Sequence, residues 1–99
     1  MAQPRLPPDL LELDSGNLDH LARHGVTEER VWQVFLGPAR YVTNAPATGR
    51  SGTHLMIGPD AAGRFWTIVL AMVDEETGRW RPITGWPSTR KEERTWRGA

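Results

Sequence analysis

Arg50, His54, Arg64, Arg81 and Arg90 are the residues of this chain best equipped to handle a charged substrate. A guanidinium is planar, stays charged and meets two phosphate oxygens with parallel N–H groups. An imidazole takes up or gives up a proton near neutral pH. His54 falls on an expected strand beside the Arg-bearing elements, which makes it the best acid or base. Trp80 and Trp86 offer aromatic faces on which a splayed base can stack. Arg79 and Lys91 add charge nearby: residues 77–99 carry six basic against two acidic side chains, whereas residues 1–36 carry three against six. A basic C-terminal quarter is a candidate polyanion surface.

Each of these residues also has a plainer reading. His54 suits a strand histidine paired with a backbone group, Arg81 an exposed edge charge, and Arg64 a surface residue at a strand start. Arg90, at the first position of a helix, has no dipole reason to be there, and a helix N-terminus attracts anions. Trp80 and Trp86 suit packing or partner contacts, since Trp and Arg are enriched at binding hot spots. His20 and His24 stand at i, i+4, a spacing that can hold zinc if Asp14 or Glu12 supplies a further ligand; two surface or capping histidines are the simpler reading. No nucleophilic serine signature, phosphate-cradling glycine loop or paired-carboxylate motif is present, and no cofactor is expected.

The elements that must position these residues centre on residues 64–73, RFWTIVLAMV, the only long apolar run. Turn-like residues bound it, and Ile68, Val69 and Val73 favour extension. As a central strand it puts Phe65, Thr67, Val69, Ala71 and Val73 on one face and Trp66, Ile68, Leu70 and Met72 on the other. Both faces need cover, one from helices and the other from the C-terminal helix or a partner chain. Further strands are expected at 40–44, 54–57 and 79–86, in antiparallel pairing because the connections are short. Pro82 predicts an edge or a bulge in the last of them. Arg79 and Arg81 are expected on one of its faces, Trp80 and Trp86 on the other.

Two short helices precede the sheet. One starts near Asp14 or Ser15 and ends at Gly25; the other is capped by Thr27 and stopped by Gly37-Pro38. A last helix opens with Thr89-Arg90-Lys91-Glu92, a capping box, with Trp96 as its apolar anchor. The expected class is α+β: two short N-terminal helices, a four-stranded antiparallel β-sheet and a C-terminal helix. Residues 1–13, with Pro4, Pro7 and Pro8, are expected to be a flexible Pro-rich lead-in to a single domain over 14–97.

Ninety-nine residues make one domain. There is no Cys, which excludes a disulfide framework, a thiolate nucleophile and a cysteine zinc site. No run approaches a membrane span, and MAQPRLPPDL lacks the apolar core of a secretory signal, so a cytoplasmic protein is expected. The net charge of zero argues against a general nucleic-acid binder.

His24-Gly25-Val26-Thr27 before Glu28-Glu29, then Met56-Ile57-Gly58, Gly63-Arg64, Arg81, Ile83-Thr84 and Thr89-Arg90-Lys91-Glu92 with Arg94 and Trp96 form a familiar order. Over residues 14–96 the chain resembles the BrnT family, toxins of bacterial type II toxin–antitoxin pairs with a fold related to RelE-type ribonucleases. The resemblance implies a toxin that cleaves RNA without a metal, inhibits translation and is neutralised by a DNA-binding antitoxin. It puts Arg81 at the family's strand arginine, and Thr89, Arg90 and Glu92 at the start of its C-terminal helix. Two positions depart from the family pattern. Trp86, in Thr84-Gly85-Trp86-Pro87, stands where an arginine is usual, and Trp96 replaces a tyrosine.

Metal-free RNA cleavage needs a base for the 2′-OH, a cation for the pentavalent phosphate and an acid for the leaving oxygen. His54, Arg64, Arg81 and Arg90 are the expected catalytic set, converging with Arg50 in one concavity. Arg50, Arg79, Trp80, Trp86 and Lys91 are the expected RNA contacts. A second reading is a catalytically inactive binding module on the same fold, acting through protein contacts of its Trp-rich surface. A third is a homodimer paired through an exposed strand.

Overall fold

The computed structural model describes residues 7–43, 53–74 and 76–98. The chain is a mixed α+β domain whose described elements run β1 (Leu10–Leu11), α1 (Ser15–Ala22), α2 (Glu28–Leu36), β2 (Arg40–Thr43), β3 (Thr53–Pro59), β4 (Phe65–Asp74), β5 (Arg79–Pro87) and α3 (Arg90–Arg97). The strands form one sheet in the order β1-β5-β4-β3-β2. Pairing from β2 through β5 is antiparallel, while β1 pairs parallel with β5. The expected count of four strands is therefore corrected to five.

The added strand lies inside the stretch expected to be a lead-in. Asp9 and Glu12 donate backbone N–H groups to the carbonyls of Gly78 and Trp80 at 2.9 and 2.7 Å, and Leu11 enters the core. Two residues are too few to show a period-2 pattern, which is why composition alone hides this strand.

Short-range chemistry sets the helix ends. Asp14 caps α1 in a reciprocal box: the Asn17 amide donates to Asp14 Oδ1 at 2.9 Å and the Asp14 amide to Asn17 Oδ1 at 2.7 Å. Gly25 leaves that helix with φ 81°, a conformation that suits glycine. Thr27 caps α2, and the Thr89–Glu92 box opens α3 as expected.

Strand β4 is covered on both sides. Trp66, Ile68 and Leu70 join Met56 and Trp80 against Leu21 of α1, Val26, and Val31 and Val34 of α2. On the opposite face, Thr67 and Phe65 meet Glu92 and Trp96 of α3. Leu21, Val26, Val31, Val34, Met56 and Ile68 of this cluster are apolar, and burial of each is worth about 1.5–3 kcal/mol.

Strand β5 carries a register shift where Val69 faces Thr84 and Leu70 faces Pro82, so Ile83 is the extra residue. Strand β1 stops at Trp80, so the missing N–H of Pro82 falls where no neighbour needs it. One inserted residue reverses the alternation beyond it. Trp80 therefore faces the helices while Trp86, opposite Thr67, faces α3. This corrects the expectation that the two indoles share a face.

No helix among the described residues is long and apolar enough to cross a membrane.

Candidate functional site

The register separates the expected catalytic residues. His54 lies opposite Leu70, and Leu70 lies opposite Pro82, which puts the three in one row on the helix-covered face. Arg81 lies opposite Ala71, the next position along β4, and so on the alternate side of the pleat. Arg64 precedes β4, six positions from Leu70, roughly 20 Å away at the rise of a strand. Arg90 opens α3 beyond Pro87, which pairs with Trp66 at the same far end. The single concavity expected of His54, Arg64, Arg81 and Arg90 is not formed. Arg50 lies outside the described residues.

Each side chain has its own local role. His54 is half-buried, its ring edge-on to Trp80 at 5.1 Å, and its buried Nδ1 bonds to no described residue. Arg81 pairs with the Asp14 carboxylate at 3.2 Å, and Arg79 with Glu12 at 3.3 Å. These contacts hold β5 to the chain that enters α1. Arg64 is exposed and lies 4.8 Å from the Trp66 ring centroid. Arg90 and Lys91 are exposed and form no ion pair with a described residue.

Neither indole is a free platform. Trp80 is fully buried, which corrects its expected role as a base-stacking surface. Trp86 is half-buried and donates its Nε1–H to Glu92 Oε1 and Oε2 at 3.0 and 3.2 Å. The same Oε1 accepts from the Thr89 amide at 2.8 Å and from Thr67 Oγ1 at 3.0 Å. Glu92 thus closes the α3 cap and ties it to the sheet. An arginine in place of Trp86 would present a charged fork where an indole N–H is now satisfied.

Two clusters were missed by reading residue types. In the first, Asp60 at the β3–β4 turn accepts from the Ala62 and Arg64 amides at 2.9 and 3.0 Å and from Trp66 Nε1 at 2.9 Å. Arg30 Nε stands 3.8 Å from Asp60 Oδ2, and its guanidinium carbon 4.8 Å from the Trp66 ring centroid. Burial pushes the Asp60 carboxyl up, but the bonds from Trp66, Arg64 and Ala62 and the Arg30 charge outweigh it, holding the group below its ordinary value. The available signal was Gly58-Pro59-Asp60, a turn whose Asp can bond to the backbone ahead.

The second cluster is a groove of about 570 Å³ between the C-terminal half of α2 and the chain around Pro59. Trp32, Leu36, Pro38 and Pro59 supply apolar walls, and Leu36 is 78% exposed. The signal here was the i, i+4 pair Trp32 and Leu36, lying beside the stripe of α2 that meets the core.

Burial pushes the Tyr41 phenol up to about 12, and its hydroxyl meets Met56 Sδ at 3.4 Å. The His20 and His24 rings stack edge-on at 5.5 Å, with Asp14 engaged by Asn17 and Arg81. No group of three or more metal-ligating side chains occurs among the described residues. The comparison with known proteins adds no relative: no family model matches the chain, and no curated protein matches it at a significant level.

Proposed function

We propose that this chain is a partner-binding protein on a BrnT-like toxin scaffold, one member of a type II toxin–antitoxin pair, working through protein contacts rather than RNA cleavage. The observation that carries this reading is the separation of the cationic set. His54 and Arg81 stand on opposite sides of the pleat, with Arg64 six strand positions from the His54 row. A phosphodiester cleaved in line needs its base, its phosphate clamp and its acid within a few ångströms of one phosphorus. The bonding of Trp86 to Glu92 supports the same reading, because the position where the family usually has an arginine is here part of the α3 anchor. The test is co-expression with the product of the adjoining reading frame. A stable complex, together with intact RNA after incubation of the free protein in EDTA, supports the proposal. RNA cleavage by the free protein refutes it.

A metal-independent endoribonuclease toxin neutralised by a DNA-binding antitoxin is the second reading. It is favoured by the order that follows β1, two helices, four antiparallel strands and a final helix, with exposed Arg90 and Lys91 opening that helix. Growth arrest on induction, relieved by Arg81→Ala with His54→Ala, would support it. Undisturbed growth under strong soluble expression would count against it.

A further inference from the structure

The geometry points to the α2 groove as the docking site for a basic amphipathic helix of a partner protein, an inference that rests on the partner-binding reading above. Trp32 and Leu36 stand one helical turn apart and form a ridge along the groove. Pro38 lines one end, and Pro59 and Ala61 the strand side. A single exposed leucine is unremarkable on a protein surface. Leu36 differs because its 78% exposure borders a concave apolar wall, with a half-buried indole beside it.

The shape favours a helix. A groove flanked by a ridge of residues at i, i+4 receives apolar side chains repeating at i, i+3 or i+4 on a second helix. The groove is open to solvent, and about 570 Å³ is within the range of ligand-holding clefts.

The charge selects a basic partner. The charged residues lining the groove are Glu29 and Asp60; Asp60 is buried and faces Arg30, so the exposed charge is that of Glu29. Glu28 sits just outside, accepting from Trp32 Nε1 at 3.3 Å, while Gln33 Nε2 holds Glu29 at 3.0 Å. The C-terminal end of α2, where the backbone dipole is negative, closes the far side. An apolar strip with lysines or arginines along its margins would find its leucines in the groove and its cations against Glu28, Glu29 and the helix end.

The experiment titrates the folded full chain, labelled with ¹⁵N and ¹³C, with a short synthetic helix of leucine and lysine, and with a twin in which glutamate replaces lysine. The Trp32 indole N–H, assigned with Trp32→Phe, and the Leu36 methyl groups are the reporters. The lysine peptide should shift both reporters. Leu36→Asp should weaken that binding about tenfold or more. The Glu28→Lys and Glu29→Lys pair should abolish it and let the glutamate peptide bind. Both sites are exposed, and each variant is checked for parent-like backbone spectra.

Three results would overturn the inference: unchanged reporters, equal response to the two peptides, or Leu36→Asp binding as tightly as the parent. Concentration-dependent shifts at Leu36 without peptide, with a dimer in sedimentation, would also overturn it by assigning the groove to a second copy. The underlying reading fails differently. RNA cleavage by the free chain in EDTA would remove it, whereas a complex with the adjoining frame's product that ignores Leu36→Asp would remove only the groove.

Discussion

Replacing Asp60 by Ala should cost this fold about 3 kcal/mol, because one carboxylate closes the β3–β4 turn, satisfies a buried indole and faces Arg30. The contributions are unequal. Trp66 is 1% exposed, so its Nε1–H would lose its acceptor where water has little access, at a cost of about 1–3 kcal/mol. Ala62 and Arg64 are exposed, so water can take over much of the bonding of their amides. The Arg30 pair is long, and with a half-open guanidinium it adds about 1 kcal/mol at most. For a domain of this size a loss of about 3 kcal/mol lowers Tm by roughly 15 °C.

Urea denaturation followed by circular dichroism measures the change; the midpoint should fall with m unchanged. A variant within about 0.5 kcal/mol of the parent would refute the assignment of Asp60 as the acceptor that allows Trp66 to be buried. The pH profile gives a second check. The folded carboxyl lies below the ordinary value, so its stabilisation is complete above about pH 4 and is lost as pH falls through the folded-state value. Asp60→Asn should lack that acid limb.

Other substitutions test separate parts of the structure. Glu92→Ala removes the acceptor shared by Thr89, Thr67 and Trp86; it should cost about 2 kcal/mol and speed amide exchange in α3 more than in β4. Gly85→Ala puts a Cβ 3.0 Å from the Thr67 carbonyl oxygen and 3.2 Å from Val26 Cγ2; a loss of about 1–3 kcal/mol is expected in thermal melts. Arg81→Ala breaks a half-exposed pair with Asp14 and should change stability by less than about 1 kcal/mol.

Much of this architecture was legible in the residues, and the boundary has physical causes. RFWTIVLAMV could be placed at the centre because its apolar residues continue on both faces, and Thr89 and Glu92 marked the start of α3 because a cap needs only four residues. Whether the cationic side chains meet was not legible. It depends on which residue of β3 and of β5 faces each position of β4, and a local string does not encode register. The bulge at Ile83 shows the effect: one extra residue moved Trp86 to the face opposite Trp80 and into bonding with Glu92. Strand β1 was hidden for a related reason, since Leu10 and Leu11 owe their pairing to Gly78 and Trp80, far away in sequence. Asp60 was visible as a turn residue, but its bond to the Trp66 indole depends on the turn's three-dimensional path.

The most direct measurement is incubation of purified wild-type protein with single-stranded RNA in EDTA, beside His54→Ala and Arg81→Ala. Separation of the cationic residues predicts intact RNA in all three. Cleavage by the wild type that both substitutions abolish would contradict it, because it would require a histidine and an arginine on opposite sides of the pleat to act on one phosphate.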